Sequence, residues 1–163
     1  MGQQQLLLVI LVTILVGIAT VVAINVFGTA AEQGNRDAVR QDLLTASAGA
    51  QAIWARPPAL GGVGGDFSVD PPNDAAFFRL LGIPGSFTAE GGTGEDESVL
   101  TNENAAYTLT TRGTNQVVIT AEPTTYNNTI TLTITRATTT TAADDPWNIQ
   151  INDGGVITIL SGV

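Results

Sequence analysis

The side chains that most often carry chemistry are missing from this chain of 163 residues. It has no cysteine and no histidine, and its six basic residues are all arginine: Arg36, Arg40, Arg56, Arg79, Arg112 and Arg136. That removes disulfides, thiolate and imidazole metal sites, haem in its usual His-ligated form, lysine Schiff bases and phosphate-loop lysines. It also removes every nucleophile–base pair built on His, Cys or Lys. Carboxylates, amides and hydroxyls remain. Gly94-Glu95-Asp96-Glu97 is a charge run in a glycine-rich loop and reads as a solvated tip rather than a metal site. Asn148, Gln150, Asn152 and Asp153-Gly154 carry oxygen donors at the alternating positions of a calcium loop. The interleaved Trp147, Ile149 and Ile151 explain the same stretch as a strand ending in an Asp-Gly turn, which is the better reading. Asn127-Asn128-Thr129 is an N-glycosylation sequon between two predicted strands, so Asn127 is a candidate for modification. Thr138–Thr141 is a polar stretch in a loop, read as unmodified. No glycine motif lies between a strand and a helix to cradle a nucleotide. The expectation is a protein that is not an enzyme, with no catalytic residue, no cofactor and no metal.

The net charge of −9 is placed unevenly. Within residues 1–56, Glu32, Asp37 and Asp42 balance Arg36, Arg40 and Arg56, so the whole acidic excess follows Arg56. An acidic C-terminal part repels phosphates and anionic headgroups, and neither nucleic acid nor a small-molecule substrate is expected as a ligand.

If chemistry does not define the chain, its elements must. From Leu6 to Ile24 the sequence LLLVILVTILVGIATVVAI carries no charge. That is about 20 residues, the length of a helix that crosses a bilayer core. A basic start and a small-residue cleavage site after the run, the marks of a secretory signal, are absent. The helical pattern also outlasts any membrane. Val39, Leu43, Ala46, Ala50 and Ile53 recur at spacings of four and three, and no proline intervenes before Pro57 and Pro58. Glu32 with Arg36, and Asp37 with Arg40, are spaced as favourable pairs on a wet helix face. A helix from Gln3 to about Arg56 would be on the order of 80 Å long. Gly28 and Gly34 weaken it and mark the expected point of flexibility, whereas Gly17 permits close approach of another helix.

These features together resemble the type IV pilin family: a very short leader, an apolar stretch continuous with an amphipathic half, and a β head. The resemblance implies a peptidase cut after Gly2, an exposed and methylated Gln3, and helices packed into a filament core through Leu6, Leu7, Ile10, Leu11, Ile14, Gly17, Ile18 and Val21. It also implies a homopolymer, a prepilin peptidase and assembly machinery as partners, and insertion in the inner membrane before release as a cell-surface filament. One position departs from the family. The fifth mature residue, commonly a glutamate, is here Leu7, and no carboxylate precedes Glu32. Gln3, Gln4 and Gln5 supply neutral amides instead, as filament contacts or as a polar collar at the membrane surface.

The rest reads as an α+β head. Residues 1–2 form the leader, 3–27 the apolar core helix, 28–56 its amphipathic continuation, 57–100 a Gly/Pro-rich connection and 101–163 the sheet. Within the connection a short helix is predicted near 74–82, capped by Asn73 or Asp74, with Phe77, Leu80 and Leu81 on its apolar face and Gly82 as its stop. After Thr101 the period becomes two. Strands are predicted at Tyr107–Thr111, Gln116–Glu122, Thr129–Arg136, Trp147–Ile151 and Val156–Leu160, forming an antiparallel β-meander packed on the C-terminal half of the long helix. Ile130, Leu132 and Ile134 are expected to face that helix and the alternating threonines to face out. Two other readings fit the same sequence: a minor pilin or secretion-system pseudopilin, and a monomeric membrane-anchored surface binding module.

Overall fold

A computed structural model describes residues 2–69, 73–89, 98–137 and 147–160. The charge run Gly94–Glu97 and the threonine stretch Thr138–Thr141 lie outside the described residues. The element order is a long helix α1 (Gly2–Trp54), a short 3-10 turn (Pro58–Leu60), a second helix α2 (Asp74–Leu81) and seven strands. The strands are β1 (Ser86–Ala89), β2 (Ser98–Thr101), β3 (Ala105–Arg112), β4 (Gln116–Pro123), β5 (Ile130–Arg136), β6 (Trp147–Asp153) and β7 (Val156–Ile159). The chain divides into two compact units, Met1–Gly34 and Asn35–Val163.

The first unit is helix alone. No proline interrupts it, and its hydroxyls do not compete for water. Thr13 donates to the carbonyls of Val9 and Ile10 at 2.9 Å, and Thr20 to that of Val16 at 2.8 Å. Such back-bonding satisfies a hydroxyl inside a helix without any outside partner.

The second unit is an antiparallel sheet with a helix on one face. All seven strands pair with their sequence neighbours in the order β1-β2-β3-β4-β5-β6-β7. Alternation sorts the two faces: Ile130, Leu132 and Ile134 of β5 are fully buried, while Thr131, Thr133 and Thr135 are only half-covered. Directly opposite residues share a face, so Val117, Ile119 and Ala121 of β4 and Ile149 and Ile151 of β6 extend the same apolar layer. Against it lie Val39, Leu43, Ala46, Ala50, Ile53 and Trp54 of α1. The sequence periodicity thus placed this face correctly, and the fold is α+β as expected. Burying a Leu or Ile side chain fully contributes about 1.5–3 kcal/mol, so this shared layer is the main support of the unit.

Several expectations need correction. The sheet begins at Ser86, not near residue 101, because β1 and β2 pair as a hairpin inside the Gly/Pro-rich connection (Phe87 opposite Leu100). Each of those strands is only four residues long, too short to show a period. Helix α1 ends at Trp54 rather than Arg56. Pro57 disfavours helical geometry at Arg56, and the freed carbonyls are taken by the following loop: Val63 N–H donates to Ile53 at 3.0 Å and Gly65 N–H to Trp54 at 3.2 Å. Helix α2 is capped by Asn73, whose side chain accepts from Ala76 N–H at 2.8 Å, and it stops at Gly82 in the left-handed region (φ 81°). Its buried residues are Phe77, Phe78 and Leu81, with Leu80 only half-covered. Phe78 is recruited by Phe87 of β1, at 6.4 Å between ring centroids, a partner invisible until β1 exists. In α1, Gly49 sits where a Cβ would come within 2.5 Å of the Leu81 carbonyl oxygen, so this glycine is what lets α2 abut the helix.

Candidate functional site

Two surfaces of the helix are candidates for function, one in each unit. In the first unit the large apolar side chains from Leu6 to Phe27 are between 49 and 73% exposed. The helix has a mean hydropathy of 3.1 over its most apolar window, and none of that window is buried. Every residue singled out from the sequence for contact (Leu6, Leu7, Ile10, Leu11, Ile14, Gly17, Ile18 and Val21) lies on this exposed surface. An added Cβ at Gly17, Gly28 or Gly34 would meet nothing within 4 Å, so no packing inside the chain requires these glycines. The exposed apolar area is on the order of 1,500 Å², several times the largest patch of an ordinary monomer. At about 25 cal/mol per Å², leaving it in water would cost roughly 40 kcal/mol, far more than a domain's net stability. Such a surface suits contact with lipid or with another apolar protein surface.

In the second unit the first turns of the Asn35–Trp54 segment carry polar side chains that bind the β2–β3 and β4–β5 connections and the end of β6, all at one end of the sheet. Asn35 Nδ2 donates to the Asn104 carbonyl at 2.8 Å, and Asn35 Oδ1 accepts from Thr125 N–H at 3.4 Å. Asp42 Oδ2 accepts from Asn102 Nδ2 and Asn104 Nδ2, each at 3.0 Å, and from the Tyr107 hydroxyl at 2.6 Å. Burial, together with this bond to a carboxylate, raises the Tyr107 phenol well above its usual range. Arg36 Nε donates to Asp153 Oδ2, and Arg40 Nη2 pairs with the same oxygen at 2.7 Å. The hydrogen bond to Asp153 raises the Arg36 guanidinium further. Arg36 also lies over the Tyr126 ring, 5.3 Å from its centroid.

Asp153 itself is 1% exposed, and among the described residues none donates to its Oδ1. A buried carboxylate is tolerable here because two guanidinium groups, each about one third exposed, converge on it. This corrects two readings. Arg36 and Arg40 pair across the fold with Asp153 rather than along the helix with Glu32 and Asp37. Asp153 is likewise no turn residue, since the β6–β7 turn is Gly154-Gly155, both with positive φ (59° and 95°), as a two-residue turn between right-twisted strands requires. A signal was present in the sequence: Asp153 continues the parity of Ile149 and Ile151, which places it on the covered face.

At the opposite end of the sheet Trp54 meets Phe67 (4.6 Å between centroids) and Trp147 (5.6 Å), with Arg136 over both indoles. The cluster closes the core at this end, with Trp54 only 8% exposed and Trp147 half-buried. Asn127 is exposed in the β4–β5 connection, which is where a sequon can be reached. Among the described residues no group of His, Cys, Asp and Glu is arranged to hold a metal ion.

Set against protein-family models, curated proteins and solved structures, the chain matches none. The architecture is pilin-like. A long N-terminal apolar helix followed by an antiparallel sheet packed on that helix's C-terminal half is the general plan of such subunits, and it is carried here by elements rather than by a sequence motif.

Proposed function

We propose that this chain is a structural, non-catalytic subunit of an extracellular type IV pilus-like filament, polymerising through its apolar N-terminal helix. The observation that carries the reading is the uncovered apolar surface from Leu6 to Phe27, on the same helix whose Asn35–Trp54 segment is tied into a folded head. While the subunit is in the inner membrane, lipid covers that surface; in the fibre, neighbouring helices do, so the apolar area avoids water in both states. Contacts that do not close on themselves generate a helical polymer. A prepilin peptidase cutting between Gly2 and Gln3, and a motor that extracts each subunit, belong to the same proposal. Without a carboxylate near the N-terminus, Gln3–Gln5 and apolar packing set the register between subunits. A plain anchor would need neither the helix beyond Phe27 nor the clamp around Asp42 and Asp153.

Electron microscopy of filaments sheared from cells, with side-chain density traced against this sequence, tests the proposal directly. The chain is expected as the repeating subunit. Its absence from such filaments, or its presence only in traces, would remove the major-subunit reading. Val12→Asp separates filament subunit from anchored monomer: a filament subunit that still enters the membrane fails to polymerise, whereas an anchored module that enters keeps its activity.

A further inference from the structure

Strand β7 breaks the rule that sorts every other strand. The Gly154-Gly155 turn fixes its register so that Val156 lies opposite Asp153 and Thr158 opposite Ile151, both on the helix-covered face. Ile157 and Ile159 therefore lie opposite Asn152 and Gln150, on the outer face of the sheet. A shift of one residue would exchange these faces, so the tight turn holds the two isoleucines outward. All three apolar residues of β7 stay open: Val156, Ile157 and Ile159 are 59, 56 and 60% exposed. The strand is also the last in the sheet, with no strand beyond it among the described residues. Apart from its short length of four residues, it carries none of the devices that protect an edge, having no charge, no proline and no bulge. At the other side of the sheet β1, also four residues long and without charge or proline, has no strand beyond it among the described residues.

We infer that β7 of one copy pairs with β1 of the next, so that the sheet continues from subunit to subunit. This rests on the filament reading above and adds a second contact to it. The occupant is another copy of this chain for two reasons. On the filament reading the apolar helices gather copies of the chain, and each copy offers one edge of each kind, matched in length. A β7–β1 contact is heterologous and repeats without closing, as a helical polymer demands; a β7–β7 contact would close as a dimer and stop. Four paired residues bury only a few hundred Å², short of the roughly 1,000 Å² of a stable interface. The pairing therefore forms where helix packing has already raised the local concentration of heads, and not between free subunits.

The chain has no cysteine, so introduced thiols report on this contact alone. Full-length protein carrying Ala89→Cys in β1 and Thr158→Cys in β7, positions of matching parity in the two strands, is assembled, and sheared filaments are treated with a short bismaleimide. A denaturing gel is expected to show a ladder of dimers, trimers and larger species from the double variant and monomer from either single variant. Adding Ile157→Lys and Ile159→Lys should reduce the ladder about tenfold, equivalent to about 1.4 kcal/mol of contact. Intact filaments without a ladder overturn the pairing while sparing the filament reading. Dimers from Thr158→Cys alone overturn it in favour of β7–β7 contact, and a cross-link to a chain of different mass overturns the choice of occupant. If cells making the unaltered chain have no filaments containing it, the underlying reading fails first.

Discussion

Helix α1 is one element with two kinds of sequence, and the contrast between them explains the molecule. Residues 2–31 are exposed all round, while in Asn35–Trp54 a single stripe from Val39 to Trp54 is buried and the opposite side is wet. The backbone is the same in both. What differs is the cover: the second segment packs against its own sheet, and among the described residues none covers the first. Apolar residues in the two segments should therefore fail in different assays.

The sharpest break between the segments is a matched pair of truncations. Leu43→Ala, at a fully buried site, should destabilise the head by about 2–5 kcal/mol. Leu11→Ala should leave the head unchanged and weaken only assembly. Urea unfolding of the full chain in detergent, followed by tryptophan fluorescence, checks this cleanly because both tryptophans, Trp54 and Trp147, belong to the head. An equal loss from both variants would mean that the two segments unfold as one. Next in size, Asp153→Ala removes the anion shared by Arg36 and Arg40. The partly hydrated arginines soften the loss to about 2–3 kcal/mol, below the usual range for a fully buried pair, read as a lower urea midpoint.

Glycines on the same helix sharpen the contrast. Gly49→Ala drives a Cβ to within 2.5 Å of the Leu81 carbonyl oxygen, and overpacking of that kind costs about 1–3 kcal/mol. Gly28→Ala meets nothing and gains helix propensity, up to about 1 kcal/mol locally, with no change in the head's unfolding. Slowed hydrogen exchange around residue 28 is the measurement. The last comparison concerns alkaline pH. Tyr107 is held neutral in the folded head, whereas an unfolded tyrosine ionises near pH 10, so its contribution is complete below about pH 10. As pH rises further, stability should fall by about 1.4 kcal/mol per unit until the folded phenol also ionises. Tyr107→Phe should flatten that slope, and an unaltered slope would place its origin elsewhere.

The same contrast separates what could be read from the sequence. Residues governed by periodicity were legible: the apolar run, the stripe at Val39, Leu43, Ala46, Ala50 and Ile53, the strands from Tyr107 to Ile151, and the Asn73 and Gly82 caps. Residues governed by distant partners were not. Arg36 looked paired with Glu32, four residues away, but its carboxylate is Asp153, 117 residues away. Asp42 entered the sequence reading only as one of the acids that balance the N-terminal arginines, yet it lies one residue from buried Leu43 and receives bonds from Asn102 and Asn104 between β2 and β3. Gly49 carried no signal at all, since its neighbour Leu81 is set by the tertiary fold. The candidate assembly surface was therefore legible, and the clamp holding the head was not.

The strictly sequential strand order has a kinetic consequence. Every ladder in the sheet joins neighbours in the chain, so each pairing closes a short loop and adds little entropic delay. The sheet can zip up strand by strand as the chain is made, independently of the first segment. The slow step should be the contact of greatest sequence separation, the meeting of Arg36 with Asp153 across nearly the whole head. The head would then mature by laying a preformed sheet onto the Asn35–Trp54 segment of the helix.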